Sequence, residues 1–443
     1  MKEQEIKRLL TERHGIESLN EMQRQVLEKS NDKGDMVIYS PTGSGKTIAY
    51  TIPMLKALHA KPEVLQSVII APSRELVLQI FNVIQPIAVG LKVSCCYGGH
   101  KVEDERMSLL VTPGIIVATP GRLLDHVHRG HIDIRNTKWL ILDEFDKILE
   151  LGFEEEMRQL LRNMPNLSRR VLTSATVLDT IPDYVRLNGA LTLNFLHKEG
   201  DPASRMTIWS VASPEKDKLD TLRSLLLTLP RGKSIVFVNY RDAVSRINTY
   251  LRQHHIASGV YHGGMEQIER EKAIAMFNNG SIMVLVTTDL ASRGLDISEV
   301  SHIIHYHLPV SPEAYVHRNG RTARVDAEGS VFILMSPDED TPDYIKIDDA
   351  YELNPFNEHS QLAAEMATIY INAGRKEKIS RGDIVGYILA NSDLQSTQIG
   401  AIDLRDHYAL VAVPRAGIRD LVLRLKQAKL KGKKVLLSLA EQS

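Results

Sequence analysis

Cysteine is nearly missing from this chain of 443 residues: it has two, Cys95 and Cys96, adjacent and set in an apolar stretch. Such a pair offers neither a disulfide framework nor a metal cage. Aromatic residues are sparse too, at 5%. Long apolar runs are absent. None reaches the roughly 20 residues that span a bilayer, so no membrane partner is expected. The opening MKEQEIKRLLTERHG is charged throughout and lacks the apolar centre of a secretion signal, so a reducing cytoplasm is the expected setting. Net charge is also small, at −1, which excludes a protein that coats nucleic acid by bulk charge. That total hides an asymmetry. Residues 365–443 hold 13 Lys and Arg against 8 Asp and Glu, leaving a net −6 for the rest. A basic module on an acidic body points to a nucleic-acid tether.

What is present is a regular alternation. Apolar, β-branched runs (MVIY, SVIIA, KVSCCY, IIVA, WLIL, RVLT) alternate with segments of helical period such as RELVLQIFNVIQPIA. Continuous apolar strands separated by helices predict a parallel sheet covered on both faces. The pattern restarts with SIVFVN, SGVYH, IMVLVTT, HIIHY and SVFILM. The expected organisation is therefore α/β, with domains at 1–196 and 207–336. An acidic linker or extension follows at 337–364, then a small α+β domain at 365–443.

Ser40-Pro-Thr-Gly-Ser-Gly-Lys-Thr47 follows a strand and opens a helix. In that context the backbone N–H groups of Thr42, Gly43, Ser44 and Gly45 can wrap phosphates at a helix N-terminus. Lys46 then reaches the outer phosphates of ATP, and the Thr47 hydroxyl binds Mg²⁺. Asp143-Glu144-Phe145-Asp146 ends the run WLIL, placing carboxylates at the carboxyl end of a parallel strand, where α/β folds bind ligands. Asp143 is a second Mg²⁺ ligand, and Glu144 orients and deprotonates the attacking water.

These residues resemble the motifs of DEAD-box RNA helicases, and the resemblance continues along both α/β domains. Pro72-Ser-Arg-Glu-Leu76, Gly98-Gly99 and Thr119-Pro-Gly-Arg122 are similar to RNA-contacting motifs of that family, and Ser174-Ala-Thr176 to its coupling motif. Val236-Phe-Val-Asn239, Gln267 with Arg270, Thr287 through Asp296, and His317-Arg-Asn-Gly-Arg-Thr-Ala-Arg324 follow in order. The resemblance implies two tandem RecA-like domains with ATP bound to the first. Gln23 reads the adenine edge, Asp296 contacts the ribose, and Arg321 and Arg324 act as arginine fingers once the domains close. Asp146, Ser174 and Thr176 couple hydrolysis to unwinding. Arg74, Gly99, Thr119, Arg122, Gln267, Arg270 and Thr288 grip the RNA backbone. Four departures stand out. Asn20 replaces a threonine, Ile6 stands where an aromatic stacks on adenine, Phe145 replaces a small residue, and Ala323 replaces a glycine.

The last eighty residues read β, helix, β, β, helix, β, which resembles the DbpA-like, RRM-type RNA-binding domain. Tyr370 and Tyr408 are its expected stacking faces, and Arg424, Lys426, Lys429, Lys431, Lys433 and Lys434 its electrostatic surface. The implied partner is structured ribosomal RNA, with pre-ribosomal particles as a setting and the protein acting as a monomer. A DNA-directed motor and an ATP-gated RNA clamp are the competing readings.

Overall fold

Four-residue runs of apolar, β-branched side chains have no polar face, so they form strands covered on both sides. In the computed structural model, the described residues are 1–32, 34–41, 43–59, 64–178, 180–196, 206–289, 297, 300–322, 329–354 and 360–440. The chain forms two compact units, one from Met1–Pro202 with a short later segment and one from the remainder.

The first unit is built on β1 (Met36–Tyr39), β2 (Ser67–Ile70), β3 (Val93–Cys96), β4 (Ile115–Ala118), β5 (Trp139–Leu142), β6 (Arg169–Ser174) and β7 (Leu191–Asn194). All pair in parallel, in the order β3-β4-β2-β5-β6-β1-β7. Alternate residues feed opposite cores: Ile38, Ile69, Val117 and Ile141 on one face, Tyr39, Ile70, Ile116 and Leu142 on the other. Because β5, β6 and β1 are neighbours, the loops leaving their carboxyl ends emerge side by side.

The second unit repeats this plan with β8 (Met206–Ala212), β9 (Lys233–Phe237), β10 (Ser258–Tyr261), β11 (Val284–Thr287), β12 (Val300–His305), β13 (Gly329–Met335) and β14 (Asp349–Ala350). These strands are parallel too, in the order β10-β11-β9-β12-β13-β8-β14. The acidic stretch after residue 336 does not hang free. It adds β14 to this sheet, buries Ile345, and packs Tyr351, Leu353 and Leu362 against the core.

The same unit carries a four-stranded antiparallel sheet of β15 (Met366–Ile371), β16 (Ile402–Leu404), β17 (Ala409–Pro414) and β18 (Leu437–Leu439), ordered β16-β17-β15-β18. Ile369, Ile371, Ala409 and Val411 face the helices Arg381–Leu389 and Ile418–Gln427. Thr368, Tyr370, Leu410 and Ala412 occupy the opposite face by register.

Candidate active site

The loop after β1 is tied down at both ends. Ser40 N donates to the Ser174 carbonyl at 3.0 Å, and Ser40 Oγ to Ser44 Oγ at 2.7 Å. Lys46, the first residue of the helix Lys46–Ala57, donates through Nζ to the Ser40 and Pro41 carbonyls at 2.7 and 2.8 Å. Its ammonium thus lies against the loop where phosphates would enter. Thr42 is outside the described residues.

Asn20 and Gln23 close a reciprocal cap on the helix Glu21–Lys29. Their amide nitrogens then donate to the loop, Asn20 Nδ2 to Ser44 O at 2.9 Å and Gln23 Nε2 to Gly45 O at 3.2 Å. Gly45 has φ +88°, and a Cβ there would lie 2.4 Å from Gln23 Nε2. Asn20 therefore does more than stand in for a threonine hydroxyl. Ile6, expected on the adenine side, is fully buried in the core with Leu10 and offers no open face.

Asp143 directly follows β5 as a buried carboxylate held by three donors. Tyr50 Oη reaches Oδ2 at 2.8 Å, Glu144 N reaches Oδ1 at 3.1 Å, and the Thr173 hydroxyl also donates to Oδ1. Burial, reinforced by the Asp143 charge, pushes the Tyr50 hydroxyl well above its ordinary pKa, so it stays a donor. Glu144 adopts the left-handed region, φ 50° and ψ 54°, a costly conformation for this residue type. Phe145 fills the core beside Leu142 and Ile148.

Asp146 Oδ2 accepts from Thr176 Oγ1 at 3.1 Å. Ser174 Oγ donates to the Thr176 carbonyl at 2.6 Å, and the Ser174 carbonyl holds Ser40 N. The two acidic and serine–threonine segments are thus joined to the phosphate loop by one chain of hydrogen bonds.

On the same unit, Arg74 starts the helix Arg74–Ile84, capped by Ser73, and Thr119 precedes the helix Pro120–His128. Gly99 has φ +103°, and a Cβ there would sit 1.9 Å from Arg74 Nη1, so the Gly98–Gly99 turn is seated against that arginine. Arg122 Nη1 is 3.0 Å from Glu105 Oε2, and its Nη2 donates to His100 O at 2.9 Å.

In the second unit Gln267 and Arg270 lie in the first turns of the helix Gln267–Asn278. Gln267 donates to Glu271 at 3.2 Å, and Arg270 to the Met265 and Gly263 carbonyls at 3.1 Å each. The Thr288 carbonyl accepts from Thr287 Oγ1. Arg321 is buried, its N–H bonded to the Arg318 carbonyl. Asp296, Ala323 and Arg324 fall outside the described residues.

The sequence pattern missed Arg318, which is fully buried and forks onto Asp289 while also donating to Asn239 Oδ1 at 2.8 Å and His307 O at 2.9 Å. It also missed Tyr50, Thr173 and Glu105.

One expectation needs correcting. Tyr370 and Tyr408 are not open stacking platforms. They stack on each other at 5.6 Å, Lys272 Nζ lies 4.9 Å from the Tyr370 ring centre, and the Tyr408 hydroxyl donates to Glu271. Around them Leu410 and Ala412 are 1% and 0% exposed. Thr368 Oγ1 meets Asn279 Nδ2 and Ser281 Oγ at 2.9 and 2.8 Å. The outer sheet face is docked on the helix Gln267–Asn278 and the turn after it.

Two parallel-sheet domains, one with a phosphate loop beside a strand-end acidic motif, define a nucleotide-dependent motor. The matching family models are the DEAD/DEAH box helicase over residues 20–183, the helicase conserved C-terminal domain over 217–326, and the DbpA RNA binding domain over 368–439. The chain is 32% identical over 413 residues to the ATP-dependent RNA helicase DbpA of Escherichia coli (strain K12), covering 90% of this chain and 89% of that one. It is 34% identical over 335 residues to the ATP-dependent RNA helicase CshA of Listeria monocytogenes, covering 74% and 64%. Its fold is similar to that of S. cerevisiae Dbp5 bound to RNA and ADP BeF3, at 26% identity and TM-score 0.66, over 75% of this chain and 87% of that one. The chain belongs to the DEAD-box ATP-dependent RNA helicases and carries a C-terminal RNA-binding domain of the DbpA family. No helix among the described residues is long and apolar enough to cross a membrane.

Proposed function

We propose that RNA laid across the two motor domains closes them, that closure triggers ATP hydrolysis, and that the third domain directs this cycle to structured ribosomal RNA during large-subunit assembly in the cytoplasm. The observation that carries the reading is the hydrogen-bond chain from Asp146 through Thr176 and Ser174 to Ser40. It links Asp146 of the acidic motif to the phosphate loop. A change at the outer phosphates is thereby communicated to the segment that couples hydrolysis to unwinding.

Within this scheme Thr42, Gly43, Ser44 and Gly45 wrap the phosphates, Lys46 neutralises the outer two, and Gln23 and Asp296 select adenine and ribose. Asp143 and Thr47 would hold Mg²⁺, which adds charge neutralisation. The fit is reasonable, since Asp143 keeps an oxygen lone pair beyond its three donors and hard cations take oxygen ligands. Glu144 draws the proton from the attacking water. Arg321 and Arg324 meet the charge that develops on the transferred group. Arg74, Gly99, Thr119, Arg122, Gln267, Arg270 and Thr288 hold the RNA backbone. With the outer face of the third domain docked, its RNA contacts fall on the exposed basic residues Arg424, Lys426, Lys429, Lys431, Lys433 and Lys434. The protein works as a monomer, on RNA within pre-ribosomal particles.

Thr176→Val keeps the shape and deletes the hydroxyl that reaches Asp146. RNA-stimulated ATP hydrolysis should persist while duplex displacement fails. Unchanged displacement would remove the coupling role from this chain of hydrogen bonds.

A further inference from the structure

Glu105 lies in none of the motifs that mark this family's chemistry, yet it is only 5% exposed. Each of its oxygens is engaged twice. Oε1 accepts from Tyr97 N at 2.8 Å and lies 2.9 Å from His100 Nε2. Oε2 meets Arg122 Nη1 at 3.0 Å and His126 Nε2 at 2.7 Å. Cys96 Sγ is close enough to suggest a metal site with Glu105 and His126. Separations of 2.7–3.0 Å with every carboxylate position occupied instead describe a hydrogen-bonded centre.

A carboxylate buried with its partners gains little net stability, because desolvation offsets the attraction. What such a group supplies is orientation. We infer that Glu105 is a positioning residue for RNA binding: it sets Arg122 and the Gly98–Gly99 turn in the geometry that receives a phosphate backbone. The inference rests on the RNA-contact reading above. Tyr97 and His100 bracket the glycine pair, so one carboxylate fixes both ends of the turn. That turn is in contact with Arg74 through Gly99. Arg122 and His126 are four residues apart on one helix face, so the same carboxylate also orients the helix that begins after Thr119. Arg122 spends one guanidinium nitrogen on Glu105 and another on the His100 carbonyl, which leaves its fork aligned.

The test is RNA-stimulated ATP hydrolysis by the full chain with Glu105→Gln, Arg122→Ala and the double variant, titrated with single-stranded RNA. Glu105→Gln should raise the RNA concentration for half-maximal stimulation about tenfold. The ATP KM, and kcat at saturating RNA, should stay within about twofold. In the Arg122→Ala background the same substitution should add little, because its route to RNA is already gone. Independent, additive effects would overturn the inference, as would a fall in kcat with unchanged RNA affinity. If Arg122→Ala leaves RNA affinity untouched, the RNA-contact reading of this face fails and takes the inference with it. Should Glu105→Gln not fold, Arg122→Lys decides. Orientation demands a loss close to that of Arg122→Ala, and wild-type affinity with lysine would overturn it.

Discussion

Glu144 is held in a left-handed backbone conformation by its neighbours: its N–H bonds both Asp143 Oδ1 and Thr173 Oγ1, at 3.1 and 3.2 Å. The left-handed turn follows directly on the anchored Asp143 carboxylate. Glu144→Gln keeps the size and loses the base proposed for the attacking water. Nucleotide affinity should persist while turnover falls by about 10²–10⁴, as nucleotide titration alongside phosphate release would record. Tyr50→Phe tests the anchor. It removes a donor from a buried carboxylate, which should destabilise the first domain by about 1–3 kcal/mol in a denaturant titration. These residues also mark where sequence reading stops. Lys46 and Asp143 sit in short local patterns, each next to a strand end. Tyr50 and Thr173 have no local mark, because their meeting with Asp143 is made by the order of β5, β6 and β1 and by the helix laid against them. Glu105 escaped for the same reason, its partners coming from two other segments, the turn at Tyr97–His100 and the helix Pro120–His128.

Strands buried on both faces announced themselves as apolar runs, and so did the edge strands β3 and β10, whereas the edge strands β7 and β14 did not. β7 is mostly exposed with the mixed sequence LTLN, and β14 has two residues, both exposed. In β8 Thr207 and Ser210 interrupt the apolar residues, so no continuous apolar run marks it. Tyr370 lies on its expected strand and Tyr408 directly before β17, but no strand pattern tells which surface will cover them. β12 carries a testable consequence of burial. Burial drives His305 down to about 3, with the Arg318 charge adding and the Asn319 hydrogen bond opposing. His302 is driven to about 4 by burial. Both stay neutral in the folded chain, whereas the unfolded chain takes up protons below about pH 6.5. Stability is therefore level above neutrality and lost as pH falls, by roughly 2 kcal/mol per histidine between pH 6.5 and 5. Urea midpoints of the protein at pH 7.5 and 5 should differ accordingly. A flat profile would contradict the burial of these rings.

Removing residues 365–443 leaves the motor's phosphate loop and the residues proposed to grip RNA intact, so stimulation by generic RNA should survive at high RNA concentration. Affinity for structured ribosomal RNA should fall. The slope of log affinity against log salt should shrink by roughly 0.7–0.9 for each phosphate that the third domain no longer neutralises. Equal binding of ribosomal and unrelated RNA by both forms, measured at two salt concentrations, would make the third domain something other than an RNA tether. The truncation also strips Thr368 and Arg415 from Ser281, opening a polar patch at the end of the helix Gln267–Asn278. That helix offers Gln267 and Arg270 at one end and holds the third domain through Glu271, Lys272 and the turn beyond Asn278. A domain on a floppy leash would search a volume, and its help would fade gradually with leash length. One seated on the helix proposed above to grip RNA would instead behave as a ruler. It would set a fixed count of nucleotides between the structure bound by the third domain and the strand held by the motor, so displacement should peak sharply at one spacing.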